Sequence, residues 1–310
     1  MAIYEVFSQP ILIKYKTSIC SKTTFACLVI NLLTLLCPFF LTFYSQGFWK
    51  KIDVYREQPD VSFKHQMLLL LETQSPDELI FWSTFKQLNQ LMNHELLLTV
   101  PLVEHREEDH NRDGKKDELV MTIDVPLLPK KKIVSVKLLL MFDYKLYLYS
   151  AFSMECAAYI QYSTSLPGSS FSTFGELSLM QRQPLRHAGK DDRFNIPVLD
   201  LSKSEMPSTS LENILLEYMR RNVTTSLKNT YSIWEAGHAA NGSFKINVVI
   251  LYPEETILFK VGFWQLWKLA LVQYIAVFFI LSSICKKIKT YLFQKQFLSS
   301  IVINPMKQKV

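Results

Sequence analysis

Between Lys22 and Lys50 the chain carries no charged residue, and the stretch 24–44 reads TFACLVINLLTLLCPFFLTFY. A second stretch, 265–285, reads QLWKLALVQYIAVFFILSSIC, with Lys268 as its single charge. At a rise of about 1.5 Å per residue, roughly 20 apolar residues in a helix span the 30 Å or so of a bilayer's hydrocarbon core. Lys268 lies within a turn of the edge, where the aliphatic stem can carry the ammonium out to the headgroups. The two runs predict two transmembrane helices. A cleaved signal peptide does not fit the first run, because the apolar stretch is too long and no small-x-small cleavage site follows at Phe43-Tyr44-Ser45.

The net charge of +6 over 310 residues would, taken alone, suggest a nucleic-acid partner. Its placement says otherwise. Residues 1–23 and 286–310 together hold nine basic residues and one acidic, a net of +8, whereas 45–263 holds 24 basic and 27 acidic, a net of −3. Basic residues flanking spans are retained on the cytosolic side. Both tails are therefore expected in the cytosol, and the middle segment, 45–263, outside the cell or in a lumen. Without a basic surface interleaved with aromatics, that segment is expected to bind no nucleic acid. Two sequons, Asn222-Val223-Thr224 and Asn241-Gly242-Ser243, fall in it and make Asn222 and Asn241 candidate glycosylation sites. Of the five cysteines only Cys156 lies there, so no disulfide can form within the segment. Gly47-Phe48-Trp49 after the first span and Gly262-Phe263-Trp264 before the second read as an aromatic belt at one interface.

Within 45–263 the hydrophobic pattern is mostly of period two. Strand-like runs at 61–67, 96–103, 119–128, 133–149, 152–162, 174–180 and 244–248 are separated by turn chemistry at Asp113-Gly114, 129–132, 166–169 and Ala188-Gly189. One helix interrupts them: Leu211, Ile214, Leu215, Tyr218 and Met219 share a face, with Thr209 and Glu212 as a capping box. The expected fold is an α+β membrane protein in which two transmembrane helices flank a mainly β, sandwich-like extracellular domain with one short amphipathic helix.

The sharpest local motif runs from Asp109 to Asp117 and reads DHNRDGKKD. Side-chain oxygens of Asp109, Asn111, Asp113 and Asp117, the backbone carbonyl of Lys115, and Gly114 at the turn match a calcium-loop spacing. Val120 stands where an EF-hand has its bidentate Glu, and strand-like runs flank the loop, so it is similar to calcium loops set in β-hairpins. A structural calcium ion is expected, against the alternative of an Asx-rich turn with solvated carboxylates. His105 and His110 flank Glu107-Glu108-Asp109 and offer a weaker transition-metal reading.

The chain has no H-E-x-x-H, G-x-S-x-G, P-loop, G-x-G-x-x-G or C-x-x-C motif. No catalytic residues, required cofactor or small-molecule substrate are expected. Asn31 and Gln273 lie inside the spans at depths about 7–8 Å apart, so a bond between them needs tilted helices, and the alternative is that each bonds a partner helix. The C-terminal lysines Lys286–Lys295, with Tyr291, Leu292, Phe293 and Phe297, read first as a topogenic flank and second as a contact for anionic lipid.

The order of these features (a short basic N-terminus, a span, Gly47-Phe48-Trp49, Glu57-Gln58-Pro59, the acidic 107–117 loop, Arg221-Asn222-Val223-Thr224, Gly262-Phe263-Trp264, a span and a basic tail) resembles the transmembrane protein 231 family. The resemblance covers the whole chain and is weakest around 201–210. It implies a two-span protein of the ciliary transition-zone membrane, working in the tectonic-like (Meckel syndrome) complex. It further implies tectonics, B9-domain proteins, other transition-zone membrane proteins and the lipid bilayer as partners. The role it implies is in a diffusion barrier between ciliary and plasma membranes, required for ciliogenesis and hedgehog signalling. A calcium-dependent adhesion or receptor domain anchored by two spans is the alternative.

Overall fold

The computed structural model describes residues 13–45, 47–75, 78–92, 97–128, 131–199, 211–237 and 242–303. It divides into a helical unit, built from residues 1–51 and 261–310, and a β unit, residues 52–260.

The helical unit is led by α1 (Lys22–Tyr44) and α4 (Phe263–Gln294). Both are long and apolar enough to cross a membrane, and few of their side chains are buried within the protein. Ser21 starts α1 by accepting the Thr24 N–H at 3.2 Å. Pro38 lies inside α1, and the Thr42 hydroxyl donates to its carbonyl at 2.8 Å. The α4 helix continues past the apolar run through Lys286, Lys287 and Lys289. The helices are antiparallel. Near one end the Thr23 hydroxyl donates to the Ser299 carbonyl at 2.8 Å; near the other the Val261 N–H donates to the Lys51 carbonyl at 3.0 Å. Between them Tyr274 donates to the Leu35 carbonyl at 3.1 Å, and Lys289 donates to the Asn31 amide oxygen.

The two Gly-Phe-Trp motifs lie at the same end of the helical unit, where the Val261 N–H meets the Lys51 carbonyl. Phe48 packs edge-on to Phe39 at 5.5 Å, while Phe263, Trp264 and Trp267 form a chain of edge contacts. Gly47 lies so close to Gln273 that an added Cβ would sit 3.3 Å from its amide nitrogen. At the opposite end the tails meet: β1 (Lys14–Lys16) pairs antiparallel with β14 (Ile301–Ile303), Tyr15 opposite Val302.

In the β unit, β2 (Ile52–Glu57) pairs with β13 (Glu255–Lys260) as a separate ribbon. The remaining strands are β3 (Asp60–Thr73), β4 (Leu79–Ser83), β5 (Leu97–Leu98), β6 (Leu102–Glu108), β7 (Glu118–Pro126), β8 (Ile133–Leu146), β9 (Ala151–Gln181), β10 (Lys190–Asp191), β11 (Val223–Ala236) and β12 (Ser243–Leu251). They form one sheet in the order β5-β4-β3-β8-β9-β12-β7-β6, with β10 and β11 also on β9. The first half of β9 pairs with β8; the second half lies between β11 and β12. Alternate residues of both halves, among them Cys156, Ala158, Phe171 and Leu177, enter one core with Phe142 and Tyr144 of β8 and Ile246 and Val248 of β12. The sheet thus folds back on itself about β9, which gives the two-layered character expected of the domain.

A turn was expected at 166–169, but the strand continues through it. The reason is Trp234, which stacks on Tyr162 at 5.4 Å, lies against Phe171 and Phe244, and donates its indole N–H to the Leu166 carbonyl at 3.1 Å. It sits on Gly168, where a Cβ would come within 2.4 Å of the ring. The glycine therefore serves close approach rather than chain reversal. The run expected at 96–103 is broken around Pro101 into β5 and β6.

A second core, on the other face of β8 and β9, joins Leu139, Met141 and Ala157 to α2 (Lys86–Met92) through Leu88 and to α3 (Leu211–Met219) through Ile214 and Tyr218. The α3 helix is the one read from its spacing; Thr209 of its capping box lies outside the described residues. Its Tyr218 hydroxyl accepts the Ala157 and Thr225 N–H groups at 3.2 and 2.8 Å, fixing the helix to both layers.

Candidate functional site

The loop between β6 and β7 is closed by its own side chains. Asp109 accepts the N–H groups of Arg112 and Gly114 at 2.6 and 3.0 Å. Asn111 accepts the Asp113 N–H at 2.9 Å, and Asp113 accepts the Lys115 N–H at 2.8 Å. Asp117 takes the His110 N–H at 2.8 Å and the Gln58 amide at 2.7 Å. The Gln58 bond, then the backbone bonds, hold the Asp117 carboxyl below the usual carboxylate range. Arg112 and Gly114 have φ of 58° and 88°, the left-handed turn that Asp113-Gly114 predicts. Asp109, Asn111, Asp113 and Asp117 thus each accept an N–H from within the loop, Asp117 also from Gln58, so the hairpin turn is closed by its own side chains.

Beside it lies a cluster that sequence spacing does not show. Register places Glu108 directly opposite Glu118, a like-charged cross-strand pair that would be unfavourable alone. His110 bridges them, with Nε2 3.2 Å from Glu118 and Nδ1 3.6 Å from Glu108; Arg106 sits 2.6 Å from Glu108, and Lys116 pairs with Glu107. Glu108, His110 and Glu118 present ligand atoms within 4.8 Å of one another. The signal for Glu118 was its place in the hairpin register, which emerges only once the loop length is fixed. His105 does not join this group: its ring lies 4.7 Å from His65 and 5.4 Å from Phe63.

Asn222 is exposed at the entry to β11, its amide within 3.4 Å of Gln183. Asn241 lies outside the described residues. Cys156 is wholly buried, and burial pushes its thiol up to about 12, far from the thiolate a nucleophile needs. A groove of about 510 Å³ beside α3, lined by Leu139, Tyr159, Met180, Leu215, Met219 and Leu227, is apolar and carries no cluster of titratable groups.

A family model described as Transmembrane protein 231 matches residues 1–302. Proteins named Transmembrane protein 231 from Xenopus tropicalis, Mus musculus and Homo sapiens are 41%, 40% and 40% identical to this chain, covering 97%, 98% and 98% of it and 96% of each relative. The chain belongs to the transmembrane protein 231 family. Its two apolar helices and β domain are thus those of a family named for its place in membranes, and the name carries no enzymatic term. A solved structure described as a proton-activated chloride channel aligns over 87% of this chain and 99% of its own, at 10% identity and a TM-score of 0.24, too low to bear on fold or function.

Proposed function

We propose that this chain is a non-enzymatic membrane component of the ciliary transition zone, acting within the tectonic-like complex in the barrier between ciliary and plasma membranes. Membership of the transmembrane protein 231 family over nearly the whole chain is the observation that carries this reading. The architecture is compatible with it: two helices long and apolar enough to cross a bilayer flank a β domain, and tectonics, B9-domain proteins and other membrane proteins are the proposed partners. On this reading the protein is required for ciliogenesis and hedgehog signalling.

In the proposed topology both tails are cytosolic and the β domain is extracellular. The excess of lysine in the tails supports it, and pairing of β1 with β14 supports tails on one side of the membrane. Protease added to intact cells should then leave a C-terminal tag uncut; cleavage from outside would overturn the orientation. Calcium in the Asp109–Asp117 loop and glycans on Asn222 and Asn241 are proposed as structural features of the outer domain. Proximity labelling from the C-terminal tail in ciliated cells tests the function: tectonics and B9-domain proteins should be among the enriched neighbours, and their absence from the labelled set would contradict the assignment.

A further inference from the structure

From residue 6 to 52 and from 256 to 310 the sequence contains no Asp or Glu. Lysines at the tail end of the helical unit therefore have no acidic side chain in these two stretches of sequence to pair with. Lys289 is committed to Asn31, which leaves Lys14, Lys16, Lys22, Lys286, Lys287 and Lys295 to be matched from elsewhere. The fold concentrates them. Lys14 and Lys16 share one face of β1, while Tyr15 between them turns the other way and packs on Phe293 of α4 at 5.1 Å. Pairing of β1 with β14 ties the two tails together, and the loop before α1 folds onto its first turn, where Thr24 bonds Thr17 at 3.1 Å and the Ser18 carbonyl at 2.8 Å.

At that turn lies an open cleft of about 450 Å³ with a graded lining. Lys22, Ser21 and Thr24 form its polar end; Phe25 and Leu28, at helical spacing below Lys22, form its apolar end, 69% and 58% exposed. A cation and hydroxyls above an exposed apolar strip on a membrane helix match the profile of one phospholipid, headgroup above and acyl chain below.

We propose that this end of the helical unit is a binding site for an anionic phospholipid, its phosphate meeting Lys22 and the lysines of the paired tails and its acyl chain lying along Phe25 and Leu28. The site rests on the two helices crossing a bilayer and is independent of the transition-zone reading. It gives the tail pairing a purpose, because tying the basic strand β1 to the uncharged β14 holds Lys14 and Lys16 at the end of the helices, a denser positive surface than a free N-terminal tail presents.

Native mass spectrometry of the full chain in detergent micelles, titrated with phosphatidylserine and, separately, phosphatidylcholine, tests this. The wild-type chain should retain phosphatidylserine preferentially. Lys22→Gln should weaken that retention about fivefold, and the Lys14→Gln/Lys16→Gln pair by at least as much, with phosphatidylcholine unchanged. Lys50→Gln/Lys51→Gln, at the other end of the helices, should leave it intact. Equal retention of the two lipids by the wild-type chain, an equal loss from the Lys50/Lys51 variant, or displacement of the lipid by millimolar inorganic phosphate would each overturn the proposal.

Discussion

Lys289 of α4 donates its ammonium to the amide oxygen of Asn31 on α1, across two helices otherwise held by packing and a Tyr274–Leu35 hydrogen bond. Each partner is costly in a bilayer and less so when joined, since the alternative for either is an unsatisfied polar group. A double-mutant cycle with Asn31→Leu and Lys289→Leu, read as stability in micelles, should give a coupling energy of about 1 kcal/mol. Strictly additive effects would show that the bond does not join the helices.

Gly168 is the next test. Adding one methyl group drives a Cβ to within 2.4 Å of the Trp234 ring, and that ring also covers Tyr162, Phe171 and Phe244. Gly168→Ala should destabilise the β domain by about 1–3 kcal/mol and perturb the Trp234 emission. A variant that melts with the wild-type chain would mean that the strand continues through 168 for another reason.

Asp191 is almost fully buried and receives two bonds of 2.7 Å from the Arg193 guanidinium. That pairing holds its carboxyl below the ordinary range, against the opposing pull of burial. A depressed carboxylate contributes stability above its unfolded pKa and loses it as pH falls through its folded one. Asp191→Asn should therefore cost about 1.5–3 kcal/mol near neutral pH, and the gap to the wild-type chain should close in acid, below about pH 4. A gap that does not change with pH would assign the cost to packing alone.

Calcium is tested in the same format. If Asp109, Asn111, Asp113, Asp117 and the Lys115 carbonyl hold the ion, the melting temperature of the full chain should rise with calcium in the range of about 0.1–1 mM. Asp113→Ala should abolish the rise. No change up to millimolar calcium would leave the loop as a hairpin turn closed by its own Asx bonds.

The parts of the fold legible in the sequence are those set by local pattern. Two apolar runs mark the helices, alternation marks most strands, and Asp113-Gly114 and Ala188-Gly189 mark turns, with Arg112, Gly114, Ala188 and Gly189 all at positive φ. What stayed hidden depends on partners far along the chain. The β11 strand has no alternating signature, because more than half of it is exposed. The apparent turn at 166–169 was a glycine making room for a tryptophan 66 residues later. Pairing of Tyr15 with Val302 leaves no local signature, and Glu118 joined His110 only through hairpin register. The candidate loop itself was visible because its residues are contiguous, whereas the function rests on whole-chain kinship.

A barrier role is measured by deleting the protein from ciliated cells and following, by photobleaching recovery, exchange of a membrane protein between the cilium and the plasma membrane. A tagged copy should concentrate at the ciliary base, and loss of the protein should speed the exchange and deplete ciliary membrane proteins. A diffuse plasma-membrane signal, together with unchanged exchange after deletion, would contradict the barrier role.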